Sequence, residues 1–308
     1  MNEQSSINHV QIGKSLLVHD DCFSWLKSQS ENSISAVVTD PPYGVKEYEV
    51  AEIEKLRTGK AGIWRLPPAY DGNVRAPLPR FTALNAKELR TLREFFVEWA
   101  KFVVPVLKPG AHVFVASNSF LSQMVFNALI EGGLEFRTEI IRLVQTLRGG
   151  DRPKLAEEEF PDVCALPRGS YEPWGLFKKP MPPKMTVREC LREHGTGGLR
   201  RLEDGRPFFD VIKSERTPKP EKEISGHPSL KPQSLMRQLV HASLPLGEGV
   251  VLDPFMGGGS TIAAAENIGY KSIGIEKDKG FFDMSVQALP RLRALGGSFQ
   301  GSDGFGLL

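Results

Sequence analysis

Four consecutive residues, Asp40-Pro41-Pro42-Tyr43, follow directly on an apolar run at 34–39 and carry groups suited to one chemistry. An aromatic exocyclic amine is a poor nucleophile because its lone pair is delocalised into the ring. The Asp40 carboxylate and the Pro41 carbonyl could accept its hydrogens and localise that lone pair, and the prolines would keep both acceptors rigid. Tyr43 offers an aromatic face on which a flipped-out base could stack. The alternative is that these residues form only a stiff turn after a strand.

A glycine-rich turn is the second feature that could bind a ligand. An apolar run ends in Asp253, which Pro254, Phe255 and soon three glycines follow, and Glu276 ends the next apolar run about twenty residues later. In a doubly wound sheet, ligands bind beyond the carboxyl ends of the strands, where an acid can bond a ribose. A carboxylate at Asp253 would repel a pyrophosphate but attract a cationic amine, which disfavours a nicotinamide dehydrogenase. A tight turn without a ligand is the alternative here.

Apolar patterns predict the elements that would position these groups. Short apolar runs predict strands at 34–39, 111–116, 136–143, 249–252 and 271–275. Helical periodicity predicts helices at 22–28, 87–106, 122–131, 234–243, 260–267 and 279–289, with LKPG at 107–110 breaking the second of them. Strands that alternate with helices indicate an α/β fold with a mostly parallel, doubly wound sheet covered on both faces.

The composition indicates an ordinary soluble globular protein. Of 308 residues, 40% are hydrophobic and 25% are charged, and the net charge of +2 does not by itself indicate nucleic acid. Cys22, Cys164 and Cys190 are widely spaced, which disfavours a disulfide framework or a zinc site and fits a reducing cytosol. We expect no signal peptide, membrane span or metal site, and we predict a cytoplasmic, nucleoid-associated protein.

The motifs DPPY and DPFMGGGS together resemble those of the DNA amino-methyltransferases, which use S-adenosylmethionine and have a Rossmann-like fold. Here DPPY precedes the glycine-rich element, and this is the circularly permuted order of the β group of that family. The resemblance implies that Asp40, Pro41, Pro42 and Tyr43 are catalytic. It also implies transfer of a methyl group to the exocyclic amine of adenine in double-stranded DNA after base flipping.

The same resemblance implies which residues hold the cofactor. Asp253 would face the methionine amine and Glu276 the ribose hydroxyls, while Asp21 and Cys22 would hold the adenine. The element HPSLKP at 227–232 is similar to the family's HPxxKP, which leads into the helix that closes the methionine end of the pocket. The cofactor set so implied is Asp21, Cys22, Asp40, His227, Lys231, Asp253, Pro254, Phe255, Gly257, Gly259, Ser260, Thr261, Glu276 and Lys277.

The domain organisation follows from the positions of the motifs. We expect a catalytic half at 1–147, a cofactor-binding half at 227–295 and a flexible tail at 296–308. Between the halves, 148–226 is rich in proline, glycine and basic residues, and we interpret it as a separate, loop-rich target-recognition module. Its candidate DNA contacts, each of which could equally be a solvated surface residue, are Arg148, Arg152, Lys154, Lys178, Lys179, Lys184, Arg200 and Arg201.

Two other functions stay open at this point. A cytosine-N4 DNA methyltransferase is the first, although the resembling cytosine enzymes more often carry serine in place of Asp40. A catalytically silent DNA-binding subunit is the second, and the intact Asp40, Tyr43, Asp253 and Glu276 disfavour it. Expected partners are double-stranded DNA and a cognate restriction endonuclease, with the protein a monomer or a homodimer.

Overall fold

The computed structural model describes residues 8–42, 84, 86–144, 159–164, 167 and 169–295. The chain divides into two compact units. The first takes in the described residues of Met1–Pro41, Arg93–Val144 and Tyr171–Leu308, and it contains the whole sheet. The second takes in those of Pro42–Leu92 and Gln145–Ser170. The predicted excursion at 46–85 lies almost entirely outside the described residues, and the predicted tail at 296–308 lies wholly outside them.

Nine strands among the described residues form one mixed, mostly parallel sheet in the order β1-β2-β9-β8-β3-β4-β6-β5-β7. Neighbours from β2 to β4 are parallel, β6 lies antiparallel between β4 and β5, and β7 is parallel to β5. The strands are β1 (His9–Ile12), β2 (Ser15–His19), β3 (Ile34–Thr39), β4 (Leu107–Ala116), β5 (Glu135–Leu143), β6 (Tyr171–Lys178), β7 (Val211–Lys213), β8 (Val250–Asp253) and β9 (Lys271–Glu276).

The helices that the described residues form connect these strands. They are α1 (Cys22–Lys27), α2 (Ala86–Val106), α3 (Ser122–Glu131), α4 (Val187–His194), α5 (Lys219–Ile224), α6 (Gln233–Ser243), α7 (Ser260–Asn267) and α8 (Lys279–Leu292). The α/β fold class and the helices and strands that the sequence analysis predicts are therefore confirmed, most with ends shifted by a few residues. None of these helices is long and apolar enough to span a bilayer.

Strand β3 lies at the centre of the sheet, and all six of its residues are buried. Such burial explains the uninterrupted apolar run, because a central parallel strand is covered on both faces. The parallel strands all end at one edge, so Asp40 after β3 lies beside Asp253 at the end of β8 and near Glu276 at the end of β9. We call this the carboxyl edge, and the edge where these strands begin the amino edge.

The interpretation of 148–226 as a separate, loop-rich module is wrong for Tyr171–Lys178 and Val211–Lys213, which are strands of the main sheet. Proline and glycine usually mark the end of a strand, and β6 contains Pro173 and Gly175. Packing explains the glycine: a Cβ there would lie 2.5 Å from Phe177 Cε2 and 2.8 Å from Phe126 Cε1.

The expected break at LKPG is also wrong, because β4 begins at Leu107 and continues through it. Gly110 makes this possible by adopting a left-handed φ of 73°. A Cβ at this position would lie 2.6 Å from Cys190 Sγ, so the neighbouring helix α4 also requires glycine.

Candidate active site at the carboxyl edge

The carboxylate of Asp253 links the two motifs found in the sequence. Its Oδ1 accepts a hydrogen bond from Thr39 Oγ1 at 2.7 Å and another from Phe255 N at 3.2 Å. Thr39 is the last residue of β3, so this bond ties the end of β8 to the residue before Asp40. Burial raises the pKa of Asp253 to about 6, against the hydrogen bonds from Thr261 and Thr39, which lower it.

The glycine-rich turn is shaped by backbone conformations that disfavour side chains. Gly257 and Gly259 have φ values of 49° and 82°, in the left-handed region. A Cβ on Gly257 would lie 3.0 Å from His227 Nε2, and one on Gly258 would lie 2.6 Å from His227 Cβ. The turn then runs into the N-terminus of α7, which begins at Ser260. The chain therefore leaves an open cradle of backbone N–H groups against the His227 ring.

His227 is fixed as a neutral ring over this cradle. Its Nδ1 accepts a hydrogen bond from Ser229 N at 3.2 Å, which leaves Nε2 as the protonated nitrogen. The ring packs edge-on against Phe281 with centroids 4.4 Å apart. Burial first, and then the charge of Lys231, lower the pKa of His227 to about 4. At neutral pH it can donate a hydrogen bond but carries no charge.

Glu276 anchors the turn to the end of β9. Its Oε2 accepts from Gly257 N at 2.8 Å and its Oε1 from Asp278 N at 2.7 Å. Burial raises the pKa of this carboxyl, although both backbone bonds lower it. A carboxylate oxygen has two lone pairs, so each could also accept from a ligand hydroxyl.

Asp21 and Lys277 flank the neighbouring strand end. Asp21 caps α1 by accepting from Phe23 N and Ser24 N, and its Oδ2 lies 3.0 Å from Lys277 Nζ. Cys22 is buried, and burial raises its pKa to about 12, so the thiol stays protonated at neutral pH. The side chain of Cys22 can therefore supply packing to a ligand but not a thiolate.

The remaining residues predicted to bind the cofactor lie on or under the turn. Pro254 and Thr261 are buried beneath it. Phe255 packs against Trp99 of α2, with ring centroids 5.8 Å apart. Ser260 Oγ accepts from Lys231 N at 3.1 Å, which connects the turn to the HPSLKP element.

Asp40 belongs to a network of four charged side chains. Lys231 Nζ lies 3.0 Å from Asp40 Oδ2 and 2.9 Å from Glu172 Oε2, and Arg142 also pairs with Glu172 at 3.3 Å. Burial raises the pKa of Asp40 to about 6; Lys231 lowers it and Glu172 raises it. Burial acts to lower the pKa of Lys231, but the two carboxylates outweigh it and raise that pKa.

The structure does not describe all of the DPPY element. Pro41 is buried and Pro42 is exposed, and both follow Asp40 at the carboxyl edge. Tyr43 lies outside the described residues, as do the candidate DNA contacts Arg148, Arg152 and Lys154.

The described candidate DNA contacts lie away from Asp40, at the amino edge. Because β6 runs antiparallel, its last residue Lys178 pairs with His112 near the start of β4. Lys179 Nζ donates to Leu107 O at 2.6 Å, at the C-terminal end of α2. Arg200 and Arg201 lie beside the end of α6, where Arg200 N donates to Ala242 O. The structure therefore brings none of these four cations to the predicted catalytic residue.

Sequence reasoning missed Glu172 and Arg142. Neither adjoins a recognisable motif, and their importance depends on the pairing of β5 with β6, where they face each other directly. A prediction of β6 as a strand would have been needed to place Glu172 at the carboxyl edge. Within the described ranges, no group of three or more histidine, cysteine or acidic residues could hold a metal ion.

Comparison with known proteins decides the family. A family model described as DNA methylase matches residues 34–287, which span both motifs and the charged network. The chain belongs to the DNA methylase family. The match covers the whole sheet except β1 and β2, so the DPPY element and the glycine-rich turn lie in one family domain.

Curated relatives of this DNA methylase are similar over nearly their whole length. The Type II methyltransferase M2.DpnII of Streptococcus pneumoniae is 24% identical over 283 residues, with 90% of each chain covered. The Type II methyltransferase M.HindIII of Haemophilus influenzae is 24% identical over 295 residues, with 89% of this chain and 94% of the relative covered.

Solved structures share the fold. The complex of M1.HpyAVI with SAM has a TM-score of 0.51 at 17% identity and covers 89% of this chain and 98% of its own. A DNA modification methylase of Thermus thermophilus, complexed with S-adenosyl-L-methionine, has a TM-score of 0.55 at 19% identity and covers 90% and 95%. The cytosine-N4-specific PvuII DNA methyltransferase has a TM-score of 0.56 at 18% identity and covers 92% and 87%.

Proposed function

We propose that this DNA methylase transfers a methyl group from S-adenosylmethionine to the exocyclic amine of adenine in double-stranded DNA. The observation that carries the proposal is the pair of strand ends at Asp40 and Asp253, which Thr39 joins by a 2.7 Å hydrogen bond. One end presents an oriented carboxylate to a target amine, and the other leads into the glycine-rich cradle. The order of the two motifs along the chain supports the permuted β group.

The residues of the cradle fit the proposed methyl donor. A side chain on Gly257 would meet the His227 ring, so the space over this backbone is kept open. Asp253 suits a cationic amine, and Glu276 suits ribose hydroxyls through its second lone pairs. When bound, S-adenosylmethionine supplies an electrophilic methyl group on a positively charged sulfur.

Asp40 performs the part of the reaction that this chain supplies. Its carboxylate accepts a hydrogen of the target amine, which returns the nitrogen lone pair from the ring to the nitrogen atom. Lys231 fixes the orientation of the carboxylate by holding Oδ2 at 3.0 Å, so little reorganisation is needed in the transition state. The nitrogen becomes positively charged as the new bond forms, and the adjacent carboxylate stabilises that charge and takes the proton.

Cytosine-N4 is the second candidate target. The likeness to the cytosine-N4-specific PvuII enzyme supports it, while aspartate at position 40 supports adenine. Two Type II methyltransferases among the relatives support a place in a restriction–modification system. Target recognition by the chain between 148 and 226 stays a prediction, with DNA approaching from the carboxyl edge.

Replacement of Asp40 tests the proposal. We expect Asp40→Ala and the isosteric Asp40→Asn to lower single-turnover methyl transfer by at least about 100-fold, because an acceptor aimed at the reacting amine is lost. Affinity for S-adenosylmethionine, measured by calorimetry, should stay near that of the unchanged protein. Full transfer activity in either variant would contradict the proposal.

A further inference from the structure

Glu172 is a buried carboxylate that neither motif accounts for. Its side chain is 15% exposed, at the start of β6 on the carboxyl edge. Trp174 Nε1 donates to its Oε1 at 2.8 Å, while Arg142 NH1 and Lys231 Nζ donate to its Oε2 at 3.3 and 2.9 Å. Burying a charge is costly unless it is paired and hydrogen-bonded, and this carboxylate has three donors. The sheet therefore holds Glu172 as an ionised group, and its partners lower its pKa against the effect of burial.

Lys231 transmits the position of Glu172 to Asp40. One ammonium group contacts both carboxylates, at 2.9 and 3.0 Å. The main chain of Lys231 is itself fixed, because its N–H donates to Ser260 Oγ at 3.1 Å. With both its backbone and its head group held, this lysine cannot change its distance to Asp40 without breaking a contact to Glu172 or to the glycine-rich turn.

We propose that Glu172 is a positioning residue for methyl transfer, which sets the orientation and the charge of Asp40 through the shared ammonium of Lys231. The inference rests on the proposed function, since it assigns Asp40 the role of acceptor for the target amine. A carboxylate that only stabilised the fold would not need to share its cation with the catalytic acid.

The charges around Asp40 give the direction of the expected change. Lys231 and Arg142 favour its ionised form, whereas Glu172 disfavours it, and Asp253 is the further acid that faces it across the strand ends. Removing the charge of Glu172 leaves both cations in place and removes one repulsion. The pKa of Asp40 should therefore fall in Glu172→Gln, and it should rise in Lys231→Met, which removes an attraction.

Direct titration of Asp40 tests this link without any use of activity. Protein labelled with ¹³C at aspartate carboxyls is titrated by NMR, and the Asp40 signal is identified by its loss in Asp40→Asn. We expect the midpoint to fall by about one pH unit or more in Glu172→Gln and to rise in Lys231→Met. Glu172→Asp, which keeps the charge, should restore a midpoint close to that of the unchanged protein.

Glu135→Gln is the matched control. Glu135 also lies on the sheet and also pairs with a strand lysine, Lys178 at 3.6 Å, but at the amino edge. Its loss should leave the titration of Asp40 in place. An Asp40 midpoint that is the same in folded Glu172→Gln as in the unchanged protein would overturn the inference.

Methyl transfer measured over the same pH range separates the inference from the function on which it rests. We expect the acid limb of the single-turnover rate in Glu172→Gln to move to lower pH with the NMR midpoint. If the midpoint moves while the acid limb stays, Glu172 sets the charge of Asp40 as inferred, and the role of Asp40 in the proposed function is contradicted instead.

Discussion

The two edges of the sheet hold charged side chains in opposite situations. At the carboxyl edge, buried acids lie close together, and burial raises the pKa values of Asp40 and Asp253 to about 6. At the amino edge, the cations that the sequence suggests for DNA binding make local contacts with the fold. Charge that the fold holds at an energetic cost marks a functional site more reliably than charge that the fold satisfies.

The amino-edge cations have structural reasons to be where they are. Lys179 donates to carbonyl oxygens of Leu107 and Pro105, where α2 ends and its carbonyls lack helical partners. Arg200 donates to Tyr270 Oη at 2.7 Å, beside the start of β9. Arg201 donates to Gly205 O at 2.9 Å within its own loop. These contacts use the same donors that phosphate recognition would require.

Blocking the glycine-rich turn should give the largest effect at the carboxyl edge. In Gly257→Val the new side chain would meet the His227 ring and would also strain a left-handed backbone. We expect affinity for S-adenosylmethionine, measured by calorimetry, to fall by about 100-fold. Gly198→Val is the control, since a Cβ there meets only Pro245 Cβ, at 4.0 Å. Unchanged affinity in Gly257→Val would remove the turn from the cofactor site.

Acid should inactivate the carboxyl edge at a pH set by its buried carboxyls. Burial raises the pKa of Asp40 to about 6, so the carboxylate that accepts the amine hydrogen is lost as the pH falls through that value. Below it, we expect kcat to drop by about tenfold per pH unit. Asp253 titrates in the same range, so affinity for S-adenosylmethionine should weaken in parallel. A kcat that is flat from pH 7 to pH 5 would contradict an ionised Asp40 in the reaction.

A smaller effect is expected from single cations in DNA binding. Lys213 is exposed and ends β7 at the carboxyl edge, whereas Arg201 is exposed at the amino edge. If DNA meets the carboxyl edge, Lys213→Ala should reduce the slope of log K against log salt by about 0.9, the value for one phosphate contact. Arg201→Ala should leave the slope as it is. The reverse result would place the DNA at the amino edge.

The sequence was informative where chemistry and strand ends coincide. Asp40 and Asp253 could be identified because each follows an apolar run and precedes proline, so their shared edge follows from a parallel sheet. Glu172 could not be identified, because Pro173 and Gly175 conceal the strand that carries it. The cations were misjudged for a related reason: the edge at which Lys178 lies depends on the direction of β6, and composition does not encode direction.

Methylated nucleosides are the most direct test of the central claim, that the carboxyl edge moves a methyl group to a base amine. The protein is incubated with S-adenosylmethionine and whole-genome-amplified DNA, which lacks modified bases and contains every short sequence. The DNA is then digested to nucleosides and measured by mass spectrometry. We predict N6-methyladenine with the unchanged protein and none with Asp40→Ala. N4-methylcytosine would contradict adenine as the target, and no methylated nucleoside at all would contradict the account as a whole.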